Sequence, residues 1–141
     1  MFPAVNKLAT QLVGADTSIF ADTNRLFQYA SRWLNAKMRI RASDMKLQTD
    51  SDASYPSETK ARSRAGGFFV LGYCEPGATP NATVAYLSTI ITTVVDSAAA
   101  VEYEALLICA QFATSLRLTL AELSYPQSAT PITCDNECVV G

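Results

Sequence analysis

Hydrophobic and polar positions divide the chain into a helical beginning, a strand-rich middle and a second helical region closed by a short strand. Val5, Leu8, Ala9 and Leu12 recur at helical spacing and predict a short amphipathic helix ending near Gly14. Asp16 or Thr17 can cap the next helix, whose Leu26, Phe27, Ala30, Trp33 and Leu34 form one apolar stripe. Met38 to Arg41 alternates, Ala42 to Asp44 reads as a turn, and Met45, Leu47 and Thr49 share one face of a period-2 strand, so a hairpin is expected here. Ser54 to Ala65 is polar and basic and reads as a loop. Gly66-Gly67 then opens the apolar run Phe68 to Tyr73, a central strand, and Thr83 to Val95, rich in Thr, Val and Ile, predicts a third. From Ser97 onward Tyr103, Leu106, Leu107 and Ala110 predict a buried helix, broken near Thr114 and stopped at Pro126. Pro131 to Cys134 makes a last short strand. The expected class is α/β, with a mixed sheet of three antiparallel strands, then a helix and a further strand, preceded by two short helices.

Charge changes this picture at three places. The alternating strand from Met45 delivers Asp50 and Asp52, Glu102 falls on the helix face shared with Ala99, Ala105, Leu106 and Cys109, and Asp135 stands at the exit of the last strand. A carboxylate on an apolar helix face needs a partner or a metal, and converging carboxylates repel unless a cation neutralises them. Two acids at strand ends and one on an inner helix face are the oxygen ligands that a two-metal phosphodiester site requires. Glu104, on a different face from Glu102, is expected to point outward.

Composition and charge distribution add a second partner class. The chain has 141 residues, 49% hydrophobic and 17% charged, which suits one globular domain. Ten of its eleven Lys and Arg residues lie between Lys7 and Arg64, against six acids, while the rest of the chain holds Arg117 against seven acids. A basic half beside an acidic half is what a nucleic-acid cleft next to a metal site would show. Lys60, Arg62 and Arg64 alternate and could follow a phosphate backbone, with a solvated loop as the equal alternative. No apolar run reads as long enough to span a bilayer and no leader pattern opens the chain, so an intracellular, cytoplasmic or nuclear protein is expected, with no membrane partner. With no histidine and no CxxC pair, Cys74, Cys109, Cys134 and Cys138 read as free thiols rather than a zinc site.

SDASY, followed by KARSRAGGFFVLG, TVVDSAAAVEYEAL and LRLTLAELSYPQSATPITCDN, resembles the ribonuclease H domain of Pol polyproteins from copia-type LTR retrotransposons. That family carries a serine-aspartate motif on its first strand, a glutamate-tyrosine motif on its first long helix and a cysteine or threonine-aspartate-asparagine motif on its fourth strand. The resemblance implies a ribonuclease H fold over residues 38–141, preceded over 1–37 by the helical tail of a reverse transcriptase. It implies Asp52, Glu102 and Asp135 as ligands of two Mg²⁺ ions, with Mn²⁺ as a substitute, and Ser54 and Asn136 as contacts to nucleic acid. Asp52 is favoured over Asp50 as first ligand because it occupies the motif position. The implied activity is endonucleolytic hydrolysis of the RNA strand of an RNA/DNA hybrid, in company with the remainder of the Pol polyprotein. The resemblance also implies that the chain stops short of that domain's last strand and helix, with a histidine and a fourth aspartate. The alternative expectation is therefore an inactive truncated fragment, acting at most as a nucleic-acid-binding or structural remnant.

Overall fold

The computed structural model describes residues 2–11, 16–58, 61–72, 81–136 and 139, with the side chains of residues 2 and 3 excluded. The chain divides into two compact units, Met1–Met38 and Arg39–Gly141.

The first unit is a pair of helices, α1 (Phe2–Thr10) and α2 (Thr17–Arg32). The cap of α2 is Asp16, whose carboxylate accepts hydrogen bonds from the backbone N–H groups of Ser18 at 2.8 Å and Ile19 at 3.2 Å. These bonds hold the Asp16 carboxyl below its usual range, the Ser18 hydroxyl contributing most. The expected end of α1 at Gly14 lies outside the described residues. The apolar stripe of α2 is present, but the helix carries no buried residue, and Phe27, Trp33 and Leu34 are exposed.

The second unit is α/β: a four-stranded mixed sheet in the order β3-β2-β1-β4, with one long helix packed on it. Strand β1 (Leu47–Glu58) runs antiparallel to β2 (Arg62–Leu71), from Leu47 opposite Leu71 to Ser54 opposite Arg64, then past an irregularity to Glu58 opposite Arg62. Strand β3 (Thr83–Ile90) continues the antiparallel ladder, and β4 (Ile132–Cys134) lies parallel to the other edge of β1. Helix α3 (Ala98–Glu122) makes the crossover and packs chiefly on β1 and β2.

Four expectations are corrected. Met38 to Asp44 forms no hairpin strand, and side chains rather than a neighbouring strand bond the backbone of Arg41 and of the two residues that follow the stretch. Asn81 bonds both the N–H and the carbonyl of Arg41, while Ser43 and Asp44 bond the N–H groups of Met45 and Lys46. Within the polar stretch Ser54 to Ala65, residues 54–58 continue β1 and 62–65 open β2, while 59 and 60 lie outside the described residues. One face of the ladder faces water there, so polar side chains cost nothing, and Glu58 pairs with Arg64 across the strands. Helix α3 is unbroken at Thr114, whose hydroxyl bonds the carbonyl of Ala110 at 2.8 Å without interrupting the turn. At 25 residues, α3 is also long and apolar enough to cross a membrane by length and composition, against the expectation that no such run exists. It lies on the sheet through a buried stripe of Val101, Ala105, Cys109, Ala113 and Leu120.

The core forms two clusters under α3. Leu47, Phe69, Ala113 and Leu120 make one, and Ala65, Ile91, Val101 and Ala105 the other. Beyond α3, Gln127 anchors the return to the sheet. Its amide oxygen accepts from the Leu47 N–H at 2.9 Å and its amide nitrogen donates to the Met45 carbonyl at 3.0 Å. Arg117 reaches down from α3 to bond the Ser128 carbonyl and the Thr130 hydroxyl. This clamp sets where β4 enters, and with it the position of Asp135.

Candidate cation site

The parallel register between β1 and β4 decides the geometry. Ser51 pairs with Cys134, so the next residue on each chain is an aspartate, Asp52 on β1 and Asp135 just past the end of β4. Along β1 the alternation buries Leu47, Thr49 and Ser51 under α3 and leaves Asp50 and Asp52 exposed on the opposite face. Opposite Asp52 on β2 stands Gly66, and opposite Asp50 stands Phe68. Asp50 thus has a large ring beside it, while Asp52 has no side chain beside it on β2.

Glu102 comes from the second turn of α3, whose start is fixed by the Ser97 hydroxyl accepting from the Ala100 N–H at 3.2 Å. The residue is half-buried, but its Oε2 is wholly shielded and has no hydrogen-bond partner. Desolvation pushes the Glu102 carboxyl above its usual range, and the charges of Asp52 and then Asp135 push it further, with partial relief from the Ala53 N–H. Of the two aspartates expected to join Glu102, both raise its pKa, but Asp135 alone shares its close cluster and Asp52 stands outside it. Glu102, Cys134 and Asp135 each offer one ligand atom within 4.8 Å of the others.

Cys134 was expected to be a buried thiol outside any site. It is a free, half-buried thiol beside two carboxylates. Alternation along a strand would separate Cys134 from Asp135, but β4 ends at Cys134 and the chain bends at Asp135, so both reach the same place. The adjacency in TCDN was visible in the sequence; the bend was not. Glu104, expected outward, is half-buried, with its Oε1 accepting from the Thr93 hydroxyl at 3.4 Å.

The residues expected to meet nucleic acid are divided. Ser54 is exposed and shares a 2.6 Å hydrogen bond with the Ser57 hydroxyl. Asn136 is half-buried and its carbonyl accepts from the Val139 N–H at 3.0 Å. Lys60 lies outside the described residues. Arg62 is half-buried, and Arg64 is buried, its Nε 2.6 Å from the Glu58 carboxylate and its guanidinium 3.2 Å from the Ser88 hydroxyl. Arg62 and Arg64 are thus not part of a solvated loop: both belong to β2, where Glu58 and Ser88 hold the Arg64 guanidinium within the sheet.

No family model, no curated protein and no solved structure matches the chain.

Proposed function

We propose that the second unit is a ribonuclease H-like, metal-dependent endonuclease that hydrolyses the RNA strand of RNA/DNA hybrids, and that it works within a retrotransposon Pol polyprotein. The observation that carries the proposal is the convergence at Glu102: an unpartnered, shielded carboxylate oxygen under the charges of Asp52 and Asp135. Such an oxygen calls for a proton or a cation, and hard carboxylate donors from two strands and a helix suit Mg²⁺ or Mn²⁺. A pair of such ions supplies an activated water and stabilises the leaving oxygen of an in-line displacement. In this arrangement Asp52 and Asp135 hold the cations at the end of the paired strands, and Glu102 closes the site from the helix side. The hybrid as substrate rests on the resemblance of SDASY, VEYEAL and TCDN to the copia-type domain. The chemistry that would distinguish RNA is the 2′-hydroxyl beside the scissile phosphate, within reach of neutral polar groups such as Ser54 and Asn136. Arg64, held by Glu58, has no part in the proposed phosphate contacts.

The test is cleavage of a labelled RNA/DNA hybrid in Mg²⁺ or Mn²⁺ by the parent chain and by Asp52→Asn, Glu102→Gln and Asp135→Asn. Each substitution removes a metal-holding charge worth several kcal/mol of barrier, so each is expected to slow cleavage by about 100-fold or more. Retardation of the hybrid without cleavage by the parent chain would leave the binding remnant as the correct description. A parent and an Asp52→Asn variant that cleave equally would end the proposal.

A further inference from the structure

We infer that Cys134 supplies a thiolate arm to the Glu102 and Asp135 cluster, so that this position takes a borderline-soft divalent cation, Zn²⁺ or Co²⁺, in preference to Mg²⁺. The inference rests on the cation site proposed above and names the class of ion that one of its positions selects.

Three observations carry it. The Cys134 sulfur and one oxygen each from Glu102 and Asp135 lie within 4.8 Å of one another. Cys134 pairs with Ser51, a residue buried on the helix-covered face, so its side chain belongs to the face on which Glu102 descends from α3. The Glu102 Oε2 is fully shielded and accepts no hydrogen bond, so a cation bound to the carboxylate would satisfy it. Ligands at about 2.3 Å for sulfur and about 2.1 Å for oxygen around a tetrahedral ion are roughly 3.5 Å apart. The three donors therefore need to close by at most about an ångström, which side-chain torsions can supply. The other described free thiol differs in kind: Cys109 is buried, donates to the Gly66 carbonyl at 3.4 Å and joins no such cluster among the described residues.

Donor softness sets the selectivity. Thiolate favours zinc and cobalt, whereas Mg²⁺ is held by carboxylates, waters and substrate phosphates. On binding, the Cys134 thiol loses its proton to the buffer and a sulfur–metal bond forms, with no change of oxidation state.

The test is a Co²⁺ titration of the full chain followed by absorption spectroscopy. The expected result is a thiolate-to-cobalt charge-transfer band in the near ultraviolet, retained in a Cys74→Ala/Cys138→Ala variant and absent from Cys134→Ala. Cys134→Ala should also weaken Co²⁺ binding by at least about tenfold. Zn²⁺ at equal concentration should bleach the band, and Mg²⁺ should not. Circular dichroism of Cys134→Ala checks its fold, and Cys134→Ser offers a second variant with the shape of the side chain kept. A band that persists without Cys134, no band in the parent, or displacement of Co²⁺ by equimolar Mg²⁺ would each overturn the inference. Hybrid cleavage is read separately: Mg²⁺-dependent cleavage with no cobalt band rejects the thiolate arm alone, and a band with no cleavage rejects the nuclease alone.

Discussion

The two ends of the sheet beneath α3 are packed by opposite means. At one end the rows crossing the strands are built from large side chains, Leu47 beside Leu71 and Thr49 beside Phe69, with Ala113, Leu116 and Leu120 of the helix above them. At the other end the rows are small, with Ser51 beside Gly67 and Ala53 beside Ala65, under Val101, Ala105 and Cys109. A Cβ placed on Gly67 would lie 2.7 Å from the Cys109 sulfur, so the helix there approaches the backbone of β2 as closely as glycine permits. Large residues bury area and stabilise; small residues bring α3 down onto the strand ends and carry Glu102 to within reach of Cys134 and Asp135. The larger buried side chains of β1 and β2 lie at one end, and the charge cluster at the other.

The comparison breaks most sharply at Phe69. It is fully buried, and its ring stands 4.7 Å from that of Phe112, tilted by 47°. Phe69→Ala is expected to cost about 3 to 5 kcal/mol, from lost transfer energy plus the cavity left behind. Urea denaturation measures it, and a loss under about 1 kcal/mol would mean that the large end is not where stability resides.

Gly67 tests the small end. Gly67→Ala forces its methyl into the Cys109 sulfur, a cost of about 1 to 3 kcal/mol for overpacking a tight contact. Because the clash is with one side chain tip, Cys109→Ala should recover much of it, and a double-mutant cycle reads the coupling. Additive losses would show that backbone conformation, not helix approach, fixes glycine at this position.

These contacts explain what could and could not be read along the chain. The period-2 pattern matches the buried face of β1 at Leu47 and Thr49, because a half-buried strand writes its environment into alternate residues, but Met45 lies before the strand with a φ of 59°. Helix α3 is apolar nearly all round, so hydrophobicity did not select its inner face: Tyr103 and Leu107, expected inside, are exposed, and the buried stripe runs through smaller residues. What selects that stripe is the close approach at Gly67, a property of two distant segments. Asp52, Glu102 and Asp135 were legible as candidates, and the field of both aspartates at Glu102 follows from the β1–β4 register. Cys134 reads as an inert free thiol because the chain has no histidine and no CxxC pair, while its carboxylate neighbour Glu102 comes from a distant segment. A polar segment reads as a loop at Arg64, whereas Glu58 draws its guanidinium into the sheet, a partner that the sequence pattern does not reveal.

The smallest expected effect sharpens the comparison most, because it asks whether the small end is held together or strained. Burial, then Asp52 and Asp135, raise the affinity of Glu102 for a proton in the folded chain above that in the unfolded chain. Between the two pKa values the folded chain binds more protons, so stability falls as pH rises through that window and the penalty is complete above the folded value. In a chelating buffer, Glu102→Gln should therefore be more stable than the parent at pH 7. The two should converge below about pH 4, where the unfolded carboxylate is itself protonated. Glu102 keeps some contact with solvent, so water screens much of the repulsion and the difference is modest. Adding a divalent cation should stabilise the parent and leave Glu102→Gln nearly unchanged, since an ion bound to the folded state replaces the proton. Urea midpoints at the two pH values decide it: a Glu102→Gln variant weaker than the parent at both, by the same margin, would make Glu102 an ordinary packing residue and remove the strain that the cation is proposed to relieve.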